Sequence, residues 1–223
     1  FKLKKNNISF SVPTGNFGDI YAGYVAKKMG LPINKLIVAT NKNDILQRVI
    51  NTGEYKPDKV KPSITPSMDI QVASNFERLL FYVLDESDSK VSSMMGDLTS
   101  KNSFILKKKE IEKIKKDFEG VKITDKETVS IINKVFKEHH FIIDPHTATG
   151  VGAAISKKNL GDIIVLGTAH PYKFSDTIKK AIGENMDVPT HVKLDINKKE
   201  KFDIVGNSNS EVKSYILNKL SWK

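Results

Sequence analysis

The stretch from Ile8 to Gly30 constrains this chain more than any other. Ile8, Phe10 and Val12 alternate with polar residues, the period of a β-strand. Residues 20–29 read as a helix with Gly30 past its end as a C-cap. Between them lies Pro13-Thr14-Gly15-Asn16-Phe17-Gly18-Asp19. A strand, a glycine turn and a helix start leave several backbone N–H groups unpaired and aimed into one small space. The helix dipole adds positive potential there, so the turn suits an anion, above all a phosphate. Glycine at 15 and 18 keeps side chains from blocking the approach of the anion's oxygens. The competing reading is a turn that binds nothing, the commoner fate of a Gly-x-x-Gly junction. Ala22, Gly23 and Ala26 favour the phosphate, because small residues let the helix pack closely on its sheet.

The same alternation continues downstream. Leu36–Ala39 reads as a buried strand ending at Thr40-Asn41, and alternation of strands with helices predicts a parallel sheet. Ligands of such sheets sit beyond the strands' carboxyl ends, which places Asn41 and Asn43 near a site or, equally, in a cap for a helix starting near Asp44. Residues 51–71 form a long loop with Gly53, Pro57, Pro62 and Pro66. Ser74-Asn75-Phe76-Glu77 matches a capping box, followed by an apolar helical face of Phe76, Leu79, Leu80, Val83 and Leu84. The segment 86–140 is expected to be a helical elaboration on the same domain. It has one amphipathic helix through Ile111, Ile114 and Phe118, and a second that starts at the Thr124–Glu127 capping box. Residues 141–143 read as a strand, entering a small-residue helix at Asp144-Pro145-His146-Thr147-Ala148. Small residues there imply close approach of a strand or a ligand. Ile163–Leu166 reads as a buried strand whose carboxyl end carries Gly167-Thr168-Ala169-His170-Pro171, before a helix capped by Ser175 and closed by Gly183. A last helix is expected near Val212, Tyr215, Ile216 and Leu220.

Composition narrows the partners. The 223 residues carry a net charge of +10, but the densest lysine cluster (residues 107–116) falls on an exposed amphipathic helix and reads as a solvated face. No aromatic interleaving or nucleic-acid motif accompanies it, so no nucleic-acid partner is expected. There is no cysteine, which fits a reducing cytoplasm. No apolar run approaches a membrane span and no secretory signal opens the chain. The five histidines lack metal-ligand spacing, and neither a Gly-x-Ser-x-Gly elbow nor a P-loop is present. The chain opens at Phe1 in mid-pattern without an initiator Met and is expected to be the later part of a longer protein.

Three segments, in order, resemble the threonine synthase family. They are Pro13–Asp19, then Met68-Asp69-Ile70 with Ser74–Leu80, then Gly167–Pro171 with Lys173-Phe174. Asp144–Ala148 fits between the last two, and the likeness runs from about Val12 to Phe174. Tyr172 departs from it, since the family commonly has alanine there. The resemblance implies an α/β fold, with a mostly parallel sheet flanked by helices, the large domain of a fold type II pyridoxal-phosphate enzyme. It also implies a lyase that converts O-phosphohomoserine and water to threonine and phosphate. Carried over, Gly15, Asn16, Phe17, Gly18 and Asp19 hold the cofactor phosphate, and Thr168 bonds the pyridine nitrogen. A neutral hydroxyl at that nitrogen does not stabilise a protonated ring, which moderates the cofactor as an electron sink. The family's Schiff-base lysine has no counterpart in context here, so residues 1–223 are expected to be the C-terminal part of the catalytic domain. The N-terminal part of the same protein would then be the partner, and the chain alone catalytically silent. The alternatives are another lyase of the same cofactor fold, such as threonine dehydratase, or a non-catalytic threonine-synthase-like binding protein.

Overall fold

A computed structural model describes residues 8–187 and 199–220. These fall in two compact units, residues 1–187 and 188–223.

In the first unit, β1 (Ile8–Pro13) leads into α1 (Gly18–Lys28), and β2 (Ile33–Thr40) into α2 (Ile45–Thr52). The short β3 (Glu54–Tyr55) is followed by a 3₁₀ turn at Pro66–Met68, then α3 (Phe76–Val83) and α4 (Asp88–Lys101). β4 (Phe104–Ile105) pairs antiparallel with β3. Then come α5 (Lys108–Asp117), β5 (Phe118–Lys122), α6 (Asp125–His139), α7 (Pro145–Ser156), β6 (Asp162–Val165) and α8 (Ser175–Ile182). The main sheet has the order β5-β2-β1-β6 and every pairing in it is parallel.

Side-chain alternation along β2 divides the core. Leu36 and Val38 face a large cluster with Phe17, Ile20, Tyr24, Phe76 and Phe118, while Ile37 and Ala39 face Ile123 and Ala153 on the other side. Both faces of the strand are buried, as a parallel sheet between helical layers requires. β1 has the predicted period, but its polar positions do not face water: Ser9 and Ser11 are fully buried. Ser11 Oγ donates to the Gly150 carbonyl at 2.7 Å. A Cβ on Gly150 would lie 2.9 Å from Val165 and 3.3 Å from Pro13. The small residues of α7 thus serve close approach to β1 and β6.

Four local readings need correction. Residues 141–143 make no ladder and run straight into the Asp144 cap of α7. Phe118 does not continue the amphipathic helix; it opens β5, so the 86–140 segment supplies a strand of the main sheet as well as helices. β6 is exposed at Asp162 and only half-buried from there to Val165, because it lies at the end of the sheet order. Ser175 makes no side-chain cap to α8, whose entry is a 3₁₀ turn at Pro171–Phe174, although Gly183 (φ 86°) closes it as expected.

The second unit contains α9 (Asn209–Lys219), capped by the Ser208 hydroxyl. Asp203 accepts from Tyr215 Oη and pairs with Lys219 Nζ at 2.9 Å. No helix among the described residues is long and apolar enough to cross a membrane.

Candidate functional site: the turn between β1 and α1 and the carboxyl end of β6

Backbone groups build the first half of the site. Thr14 N–H donates to the Ala39 carbonyl at 2.8 Å, which anchors the turn to β2, and Tyr21 N–H donates to Phe17 O at 3.1 Å. Among the described residues, no hydrogen bond engages the N–H groups of Gly15, Asn16, Phe17, Gly18 or Asp19. α1 also lacks a side-chain cap. These are the orphan donors of a helix N-terminus, left open instead of being satisfied internally.

Phe17 makes the turn possible. Its backbone is left-handed (φ 65°, ψ 0°), a conformation that costs a bulky residue about 1–2 kcal/mol. Left-handed Phe17 followed by helical Gly18 gathers successive N–H groups into a concave nest suited to an anion. The strained conformation is held in place by the ring. It is 1% exposed, edge-on to Phe76 at 5.2 Å and tilted against Phe118 at 5.6 Å. The side chain therefore belongs to the core, and only the backbone of Phe17 faces the turn.

The wall opposite the turn is the segment 61–75. A Cβ on Gly15 would stand 2.7 Å from the Ser67 carbonyl and 3.1 Å from Met68 Cα, so glycine is required here by crowding. A Cβ on Gly18 would lie 3.2 Å from Asn75 Nδ2. Asn16 Oδ1 accepts from Ser74 N–H at 2.6 Å and Ser74 Oγ at 2.8 Å, and its carbonyl accepts from Asn75 Nδ2 at 3.0 Å. Ser74 therefore does not serve the predicted capping box. Its hydroxyl is committed to Asn16, and α3 begins after Asn75 without a side-chain cap.

Asn41 and Asn43 neither cap α2 nor offer free donors. Their amides both donate to Asp69 Oδ1 at 2.8 Å, and Ser63 N–H donates to Asp69 Oδ2 at 2.8 Å. The long loop is thereby pinned to the carboxyl end of β2, which presents Ser67 and Met68 to Gly15. Sequence spacing gave no sign of this network, because its members lie 26 and 28 residues apart.

β6 supplies the second half. It pairs directly with β1, Ser11 opposite Val165, and Leu166 N–H donates to Ser11 O at 3.0 Å. Two residues further on, Thr168 is exposed at the same edge of the sheet from which Gly15–Asp19 leave β1. Its N–H donates to Thr147 Oγ1 at 3.3 Å. The Thr147 hydroxyl in turn donates to Asp144 Oδ2. Asp144 Oδ1 caps α7, accepting from the N–H groups of His146 at 2.9 Å and Thr147 at 3.3 Å. Burial pushes the Asp144 carboxyl up, but hydrogen bonds from His146 and Thr147 outweigh it and hold it below its ordinary value. His146 lies 3.2 Å from Asp144 through Nδ1, and its buried Nε2 has no partner among the described residues.

The structure thus brings Gly15–Asp19 and Thr168 to the carboxyl ends of two adjacent parallel strands. Such an edge can take an elongated ligand, with an anionic group on the turn and a hydrogen-bonding group near Thr168.

The chain is similar to known proteins over nearly all of its length. The family model described as "Threonine synthase, C-terminal" matches residues 147–216. Threonine synthase from Pseudomonas aeruginosa is 38% identical over 213 residues, covering 94% of this chain and 45% of that protein. The Saccharomyces cerevisiae enzyme is 45% identical over 194 residues, covering 78% of this chain and 38% of the relative. The structure of pyridoxal-phosphate-bound threonine synthase from Brucella melitensis superposes with a TM-score of 0.89 at 41% identity, covering 96% of this chain and 47% of that one. The chain spans less than half the length of these relatives. Over nearly all of its own length the chain is similar to members of the threonine synthase family, and residues 147–216 match that family's C-terminal model.

Proposed function

We propose that this chain forms the cofactor-phosphate and ring-nitrogen side of a threonine synthase, a pyridoxal-phosphate lyase acting on O-phosphohomoserine and water to give threonine and phosphate. The observation that carries the reading is the run of five unengaged N–H groups at residues 15–19, on the strand next to the one that ends at Thr168. The N–H groups of Gly15, Asn16, Phe17, Gly18 and Asp19 would hold the cofactor phosphate. The Asp19 carboxylate takes no part in that, since it repels an anion; it complements the dipole of α1. The Thr168 hydroxyl would meet the pyridine nitrogen as a neutral partner. Bound there, pyridoxal phosphate would supply an electron sink for bond breaking at the substrate's α and β carbons.

The Schiff-base lysine is assigned to the part of the relatives' length that this chain does not match. The N-terminal part of the same protein is then a required partner, the substrate is a small molecule and the compartment is the cytoplasm. Calorimetric titration with pyridoxine 5′-phosphate tests the site. That compound keeps the ring and the phosphate but has no aldehyde to react with surface lysines. Saturable binding that competes with inorganic phosphate is expected, and its absence refutes the site. Phosphate release from O-phosphohomoserine by these 223 residues alone would refute the assignment of the lysine to another part of the protein.

A further inference from the structure

We propose that Thr147, aimed by Asp144, is a positioning residue that fixes Thr168 for its contact with the ligand's ring. The inference rests on the function proposed above and goes one step deeper into the same site.

The ladder between β6 and β1 stops short of Thr168. The last backbone contact between β6 and β1 is Leu166 N–H to Ser11 O, so Gly167 and Thr168 lie beyond the sheet, and both are exposed. Gly167 has no neighbour for a Cβ closer than Thr147 Oγ1 at 3.9 Å. The tether holding Thr168 is its N–H bond to Thr147 Oγ1. An ionised carboxylate can only accept. Facing Asp144 Oδ2, the Thr147 hydroxyl must therefore donate to it, which turns the oxygen's lone pairs toward Thr168 N–H. Asp144 itself is 1% exposed and is held by α7 through two backbone N–H groups. The chain of contacts thus runs from a buried, capped helix start to one exposed backbone group beside the site. α7 is in turn set against β1 by the Ser11–Gly150 bond. The turn at 15–19 and Thr168 are therefore referenced to the same rigid block, as a ligand that spans both would need.

The test separates the two ends of the ligand. The unchanged chain and its Thr147→Val and Thr147→Ser variants are titrated with pyridoxine 5′-phosphate and with inorganic phosphate. Thr147→Val is expected to weaken pyridoxine 5′-phosphate about fivefold, the worth of one hydrogen bond of about 1 kcal/mol, and to leave inorganic phosphate unaffected. Thr147→Ser, which restores the hydroxyl, is expected to restore the affinity. The inference is overturned if Thr147→Val binds both ligands as the unchanged chain does. Equal weakening of both ligands overturns it too, since that marks a general loss of structure. If the unchanged chain binds neither ligand, the cofactor reading fails and this inference with it. If it binds phosphate as tightly as pyridoxine 5′-phosphate, the phosphate turn stands and the role of Thr168 falls.

Discussion

Two helices, α1 and α7, start at the carboxyl edge of the same sheet, and their N-termini are built in opposite ways. At α7 the Asp144 carboxylate satisfies the N–H groups of His146 and Thr147, and Pro145 removes one donor outright. At α1 the residue before the helix is a left-handed Phe17 with no capping side chain, and among the described residues nothing engages the donors from 15 to 19. A helix start that satisfies itself is scaffold. One whose donors are kept open by a strained residue suits an anion, as proposed for this turn, and here the strain is held by aromatic packing in the core. The contrast also explains why α7 carries the small residues Gly150 and Gly152: they seat the helix against Val165 and Ile131, with no bearing on a ligand.

The comparison can be broken most severely at Phe17. Phe17→Ala removes a ring packed on Phe76 and Phe118 and is expected to cost about 3–5 kcal/mol in chemical denaturation. Phe17→Leu is expected to keep most of that stability and the phosphate affinity, since only the backbone faces the turn. If Phe17→Leu abolishes phosphate binding without a change in stability, the ring itself is part of the site. Gly15→Ala comes next. The added methyl meets the Ser67 carbonyl, so the turn or the wall must shift, at about 1–3 kcal/mol and with phosphate binding lost in calorimetry. Unchanged binding would show that the 61–75 segment yields freely.

At the other helix start, Asp144→Ala removes the cap and is expected to destabilise the chain by about 1–2 kcal/mol. Because the folded carboxyl titrates below its unfolded value, this stabilisation is fully present above about pH 4. It is lost as pH falls through the lower folded value. The stability gap between the unchanged chain and Asp144→Ala should therefore narrow on acidification below that range. A gap that stays constant to the acid limit would refute the charged-cap account. The smallest effect is expected from Ser74→Ala, which frees Asn16 from one of its two contacts with Ser74 and should weaken phosphate binding about fivefold or less.

The regular elements show how much was legible in the chain. Period and punctuation were enough for α1, α2, α6 and α9 and for β1, β2 and β6, because each carries its own apolar face or cap. Thr124–Glu127 forms the capping box its residues predict, since both partners lie within one turn. Ser74–Glu77 has the same pattern and does not, because Asn16, distant in sequence, competes for the serine. Phe118 fits a helical face and joins a strand instead, since pairing with Leu36 outweighs local period.

By itself the sequence determined the parallel α/β class, the strand, glycine turn and helix at residues 8–28, and the likeness to the threonine synthase family. Each of these is written in local spacing or in ordered motifs. The tertiary structure decided which helix start stays open, that Phe17 buries its ring and turns only its backbone to the turn, and that Asp69 pins the wall of the candidate site. It also decided that Thr168 hangs from Asp144 through Thr147. These depend on hydrogen-bond partners and packed rings far apart in the chain, and competition for a donor or a cavity is settled only when the chain has closed on itself.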